Sequence, residues 1–162
     1  MNKPINKKII SWKEYYDAIE KLAQMIQPNI EQFDQFLCLA RGGLFIGDAF
    51  SRIFKIPLAV LFTSSYKAST QRGELYIDNQ IAKQNNSFGN KILLLDDLVD
   101  SGITMEKVLD TLEKNYHPNE LKTATIWKKT HSCYTPDYYL HEIDDIWLVQ
   151  PFEYLDEKNI FL

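Results

Sequence analysis

The chain has 162 residues, enough for one domain with a sizeable core, and its 45% hydrophobic and 25% charged composition is ordinary for a globular protein. A net charge of −4 speaks against a nucleic-acid partner, which calls for clustered Lys and Arg. No apolar run approaches the roughly 20 residues of a membrane span, and the N-terminal stretch lacks the apolar region of a signal peptide. Cys38 and Cys133 lack metal-like spacing. Cys38 sits in an apolar run as a core residue, and the expected compartment is a reducing cytoplasm.

Ser11-Trp12-Lys13-Glu14 has the pattern of a capping box, so a helix is predicted to start there. Tyr15, Ile19, Leu22 and Ile26 recur at helical spacing, and Pro28 closes the helix. Residues 36–40 form a short apolar strand that Arg41-Gly42-Gly43 breaks; residues 44–54 then read as a helix ended by Pro57. A second strand covers 58–62. Residues 64–90 differ in texture: 63–73 are polar without periodicity, 74–78 allow a short strand, and 85–90 are rich in turn formers. An excursion of this length reads as part hairpin, part lid.

Residues 91–104, KILLLDDLVDSGIT, carry the sharpest signal. A continuous apolar run is expected in a strand buried on both faces, as in a parallel sheet. Asp96 and Asp97 then fall at its carboxyl end, where open α/β sheets bind ligands. The small, hydroxyl-bearing loop leads into a helix with Met105, Val108, Leu109 and Leu112, and a helix start attracts anions. Carboxylates for hydroxyls or a metal thus adjoin N–H and hydroxyl groups for a phosphate. Further strands are predicted at 123–127 and 146–149. Strands alternating with helices imply βαβ units and a mainly parallel sheet of five strands. His117, His131 and His141 form no ligand pair and read as surface residues.

The pattern LLLDDLVDSGIT resembles the ribose-phosphate signature of the type I phosphoribosyltransferases. The resemblance implies that Asp96 and Asp97 hold the ribose hydroxyls of phosphoribosyl pyrophosphate (PRPP). Asp100, Ser101, Gly102, Ile103 and Thr104 would wrap its 5′-phosphate, with Ile103 where purine enzymes often have Gly. An ionised carboxylate only accepts hydrogen bonds, so it suits hydroxyl donors. Arg41, Gly42 and Gly43 resemble the family's pyrophosphate loop, with Ala40 where many relatives carry Ser. Ser65, Tyr66 and Arg72 fall in the position of its lid. Trp127-Lys128-Lys129-Thr130 and residues 147–153 resemble the purine pocket of the 6-oxopurine enzymes, closest to the short xanthine–guanine type. Lys128 or Lys129 would contact the purine 6-oxygen, Trp147 would stack on the base, and the backbone of Leu148 would read its edge. Asp96, Asp97 and Glu153 are the implied Mg2+ ligands, Glu153 standing where the family usually has Asp.

What the resemblance implies for the whole chain is a single type I phosphoribosyltransferase domain, α/β in class. It would carry a hood from about 1–11 and 130–162 and a flexible lid at 64–90. The implied reaction is Mg2+-dependent transfer of phosphoribosyl from PRPP to N9 of guanine, xanthine or hypoxanthine, as in purine salvage. Its products are a nucleoside monophosphate and pyrophosphate, and Asp100 would take the N7 proton. Relatives are commonly dimers or tetramers, so a homodimer or homotetramer is expected. The rivals are a PRPP-binding regulator without transferase activity and a phosphoribosyltransferase for another base.

Overall fold

In a computed structural model, the structure describes residues 6–65 and 75–156. A short strand β1 (Lys7–Ile9) precedes helix α1 (Trp12–Ile26). The capping box forms as the sequence predicts: Glu14 N donates to Ser11 Oγ at 3.2 Å, and Ser11 N donates to Glu14 Oε2 at 2.8 Å. The face with Tyr15, Ala18, Ile19, Leu22 and Ile26 is buried. Pro28 cannot continue the α-helical ladder, and the chain tightens into a 3-10 turn over Gln27–Gln32. Then follow β2 (Gln35–Ala40), α2 (Leu44–Phe54), β3 (Leu58–Ser65) and β4 (Leu75–Lys83). The second half runs β5 (Lys91–Val99), α3 (Ile103–Tyr116), β6 (Glu120–Lys129), β7 (Tyr138–Ile143), β8 (Trp147–Val149) and a 3-10 turn at Glu153–Leu155.

The main sheet has the order β4-β3-β2-β5-β6-β7. All its pairings are parallel except β3 with β4. Central β2 is buried along its whole length, which is why its sequence is continuously apolar rather than alternating. Helices cover both faces. Phe36, Cys38, Leu93, Leu95 and Ile126 share a core with α1 and α2; Leu37, Leu39, Ile92 and Leu94 pack with Met105, Val108 and Leu112 of α3. Outside this sheet, β1 and β8 pair in parallel, Lys7 opposite Trp147 and Ile9 opposite Val149.

The α/β class and the mainly parallel sheet are those the sequence implies, but the main sheet has six strands rather than five. The expected strand at 146–149 belongs to the small β1–β8 pair, and β1 was not foreseen at all. The edge strand beside β6 is β7, which lies inside the stretch 130–162 expected to be hood. Its sequence YYLHEI is half-exposed, as suits a strand with one neighbour, so it lacks the apolar run of a buried strand. Of the 64–90 excursion, the described residues place Ser64 and Ser65 at the end of β3 and Leu75–Lys83 in β4, which pairs antiparallel to β3 with Ala59 opposite Lys83. The expected lid residues Tyr66 and Arg72 lie outside the described residues.

Candidate active site

The sheet order creates a topological switch point. From β2 the chain moves outward through α2 to β3 and β4; it then returns to β5 on the other side of β2 and continues outward to β6. The connections after β2 and β5 therefore diverge and leave a crevice beyond the carboxyl ends of those two strands. Arg41-Gly42-Gly43 follows β2 there, and the acidic end of β5 lies beside it. The Ala40–Arg41 peptide bond is cis. A Cβ on Gly42 would lie 3.3 Å from Asp96 Oδ1 and closer still to Asp97 Oδ1. On Gly43 it would lie 2.6 Å from the Leu95 carbonyl and 2.8 Å from that of Leu39. Only glycines let this loop sit directly on the acidic strand end.

The strand β5 continues through Asp96 and Asp97 to Val99, so the two carboxylates stand within its last turns of pleat, not beyond it. Asp97 N donates to Asp96 Oδ1 at 2.9 Å. Burial, then the charge of Asp97, raises the Asp96 carboxyl well above its usual range. Asp97 is pushed up to about 6, chiefly by burial and further by Glu153. These paired, desolvated oxygens are the hard donor set that suits Mg2+, which binds through one or two carboxylates plus phosphate oxygens. Glu153 is less free: its Oε2 accepts from Gln150 N at 2.8 Å. Among the described residues there is no group of three His, Cys, Asp or Glu side chains that could hold a metal ion.

Asp96, Asp100, Ser101, Gly102 and Thr104 line one cavity of about 140 Å³. Gly102 has a left-handed backbone, φ +87°, and opens α3. Ile103 does not line this cavity; its side chain is exposed, and its N–H donates to Ser101 Oγ at 3.4 Å. The two helices that begin at the crevice, α2 at Gly43 and α3 at Gly102, have no side-chain cap. Helix α1 has one in Ser11. Leaving first-turn N–H groups uncapped preserves donors and partial positive charge for an anion. The Arg41 side chain is exposed and reaches the C-terminal turn, its Nη2 3.8 Å from Asp156 Oδ2.

The two candidate lysines point differently, as adjacent strand residues must. Lys128 Nζ donates to Glu142 Oε2 at 3.1 Å and lies 5.8 Å from the centroid of the Tyr139 ring. Lys129 Nζ donates to the Asp144 carbonyl at 3.2 Å and also to that of Ile146, directly before Trp147. Both lysines are buried, so neither is the solvated charge that a Lys-Lys pair suggests. Trp147 is half-exposed, at 49%, and Leu148 is buried.

Two residues at this site were given no site role from the sequence, His131 being read as a surface residue. His131 Nε2 lies 3.0 Å from Asp100 Oδ1; 31 positions of separation leave no local signal for that contact. Tyr15 showed only as a core position of α1. Its ring packs edge-on to Phe152, and its buried hydroxyl finds no hydrogen-bond partner among the described residues. Burial first, then Asp97 and Asp96, raises its pKa.

The Phosphoribosyl transferase domain family matches residues 9–157. The chain is 28% identical over 146 residues to a xanthine-guanine phosphoribosyltransferase of Idiomarina loihiensis, covering 89% of this chain and 85% of that one. Among solved structures it is similar to a purine phosphoribosyltransferase from Pyrococcus horikoshii, with 28% identity, a TM-score of 0.76, and 91% and 94% of the two chains covered. The Helicobacter pylori xanthine-guanine-hypoxanthine phosphoribosyltransferase shares the fold, with a TM-score of 0.79 at 22% identity and 95% and 97% coverage. Together with the glycine loop seated on the acidic end of β5, the match over residues 9–157 shows that the chain belongs to the phosphoribosyl transferase domain family, as a type I phosphoribosyltransferase.

Proposed function

We propose that the protein transfers the phosphoribosyl group of PRPP to N9 of a 6-oxopurine, a purine-salvage reaction. The observation that carries this reading is the reach of Lys129 to the Asp144 and Ile146 carbonyls. It brings a buried ammonium to the carbonyl directly before Trp147. A 6-oxopurine offers a carbonyl acceptor for such a donor and a flat face for an indole. The name of the Idiomarina relative supports the same substrate class, and that of the Pyrococcus structure supports a purine.

In this reading Asp96 and Asp97 accept from the ribose hydroxyls, and the N–H groups at the starts of α2 and α3 hold pyrophosphate and 5′-phosphate. Arg41 places its guanidinium over the leaving group as the C1′–oxygen bond breaks. The N9–C1′ bond forms, and the N7 proton passes to Asp100. Mg2+, held by Asp96 and Asp97, would neutralise charge on the departing pyrophosphate. The protein's own contribution is alignment of the two reactants and preorganised charge.

The test is pyrophosphate release by purified protein with PRPP and Mg2+, against guanine, hypoxanthine, xanthine, adenine, uracil and orotate. Turnover is expected with at least one of the first three. Silence with every base removes the enzyme reading, and turnover with adenine or uracil alone removes the 6-oxopurine pocket.

A further inference from the structure

Asp100 does not stand alone at the end of β5. Its Oδ1 lies 3.0 Å from Nε2 of His131, the second residue past β6. The segment that carries His131 is laid across the phosphate loop. Cys133 N donates to the Ser101 carbonyl at 2.9 Å. A Cβ on Gly102 would come within 2.7 Å of both Ser132 Oγ and Tyr134 N. The segment is also tied to itself and to β6: Ser132 N donates to the Lys129 carbonyl at 3.1 Å, and Ser132 Oγ to the Tyr134 carbonyl at 2.8 Å. Residues 131–134 therefore form a clasp that leaves directly from Lys129 and closes on Ser101 and Gly102.

We propose that His131 is a positioning residue for Asp100. With its proton on Nε2, the imidazole donates to one carboxylate oxygen and leaves the other free for the purine N7 proton. This rests on the reading of Asp100 as the base. Asp100 is exposed, on a loop, and among the described residues His131 is the side chain that restricts its rotamer. A base must stay within hydrogen-bond reach of the proton it removes, and a small misplacement is costly in rate. An exposed pair of this kind contributes little to stability, so its effect belongs in the rate and not in the melting temperature.

The test is a double-mutant cycle with His131→Ala and Asp100→Asn, read as the single-turnover rate of nucleotide formation. The reaction uses PRPP, Mg2+ and whichever of guanine, hypoxanthine or xanthine turns over fastest. His131→Ala is expected to lower the rate about 5- to 30-fold in the wild-type background and to add nothing to Asp100→Asn. KM for PRPP should stay within about twofold, as befits loss of an interaction used only on the way to the transition state. His131→Gln, whose amide can donate from nearly the same place, should restore most of the rate. An equal loss in both backgrounds overturns the proposal, as does an unchanged rate for His131→Ala. So does a raised KM for PRPP at constant rate, which would make the clasp merely structural. Near-full activity of Asp100→Asn itself would instead remove Asp100 as the base, and the role of His131 with it.

Discussion

The Lys129 ammonium donates to the Asp144 carbonyl at 3.2 Å, while its neighbour Lys128 turns the other way to Glu142 at 3.1 Å. The pleat of one strand thus separates two residues of identical chemistry. Lys129→Ala is expected to raise KM for the purine at least about tenfold, the order of one lost charge-assisted hydrogen bond, with KM for PRPP little changed. Lys128→Ala should leave both KM values within about twofold and lower stability by about 1 kcal/mol through the lost contact with Glu142. Steady-state kinetics and urea melts of the two variants check this. The reverse pattern would assign the base contact to Lys128.

Asp96 and Asp97 crowd each other under Gly42, and both carboxyls hold protons more tightly in the fold than in the unfolded chain. Between the ordinary carboxyl range near pH 4 and the raised values, about 6 for Asp97, the folded state binds more protons. Stability of the metal- and PRPP-free protein is therefore expected to fall as pH rises through that window. Asp97→Asn should raise the melting temperature at pH 7.5 and flatten the slope, while abolishing stabilisation by PRPP with Mg2+. Calorimetry across pH 4–8 reads all three effects. A wild-type melting temperature that climbs from pH 5 to 7 would contradict the crowding.

The hydroxyl of Tyr15 is buried without a hydrogen-bond partner among the described residues. Removing an unpaired buried hydroxyl relieves its desolvation cost and leaves the ring in place against Phe152. Tyr15→Phe is expected to stabilise the ligand-free protein by about 1 kcal/mol. A loss of stability in denaturant melts would mean that the hydroxyl is paired.

Gly102 combines a φ of +87° with the clasp pressed against it. A Cβ there meets Ser132 Oγ and Tyr134 N and requires a backbone conformation that other residues adopt only under strain. Gly102→Ala should cost about 1–3 kcal/mol and raise KM for PRPP, because strain at this residue is local to the phosphate loop. An unchanged melting temperature would show that the clasp lifts away readily.

Much of the candidate site was legible because its chemistry is local in sequence. Asp96, Asp97 and the loop from Asp100 to Thr104 occupy one strand and turn, and Arg41-Gly42-Gly43 one tight connection, so residue type and spacing suffice to mark them as candidates. The α1 capping box and the limits of α2 are local in the same way, set by hydrogen bonds within one turn and by Pro57. The partners of these segments are not local. Strand β7 has a half-exposed sequence because it has one neighbour, and β8 joins β1 across nearly the whole chain; neither assignment is written in its own residues. The different partners of Lys128 and Lys129 depend on the pleat, and Ile103 stays out of the cavity because its side chain is exposed at the start of α3. The sequence by itself determined which groups could bind a sugar phosphate, since that rests on side-chain chemistry and glycine freedom at adjacent positions. Only the tertiary structure decided which of them meet: sheet order set the Gly42 loop on Asp96 and Asp97, and the clasp after β6 brought His131 to Asp100 from 31 residues away.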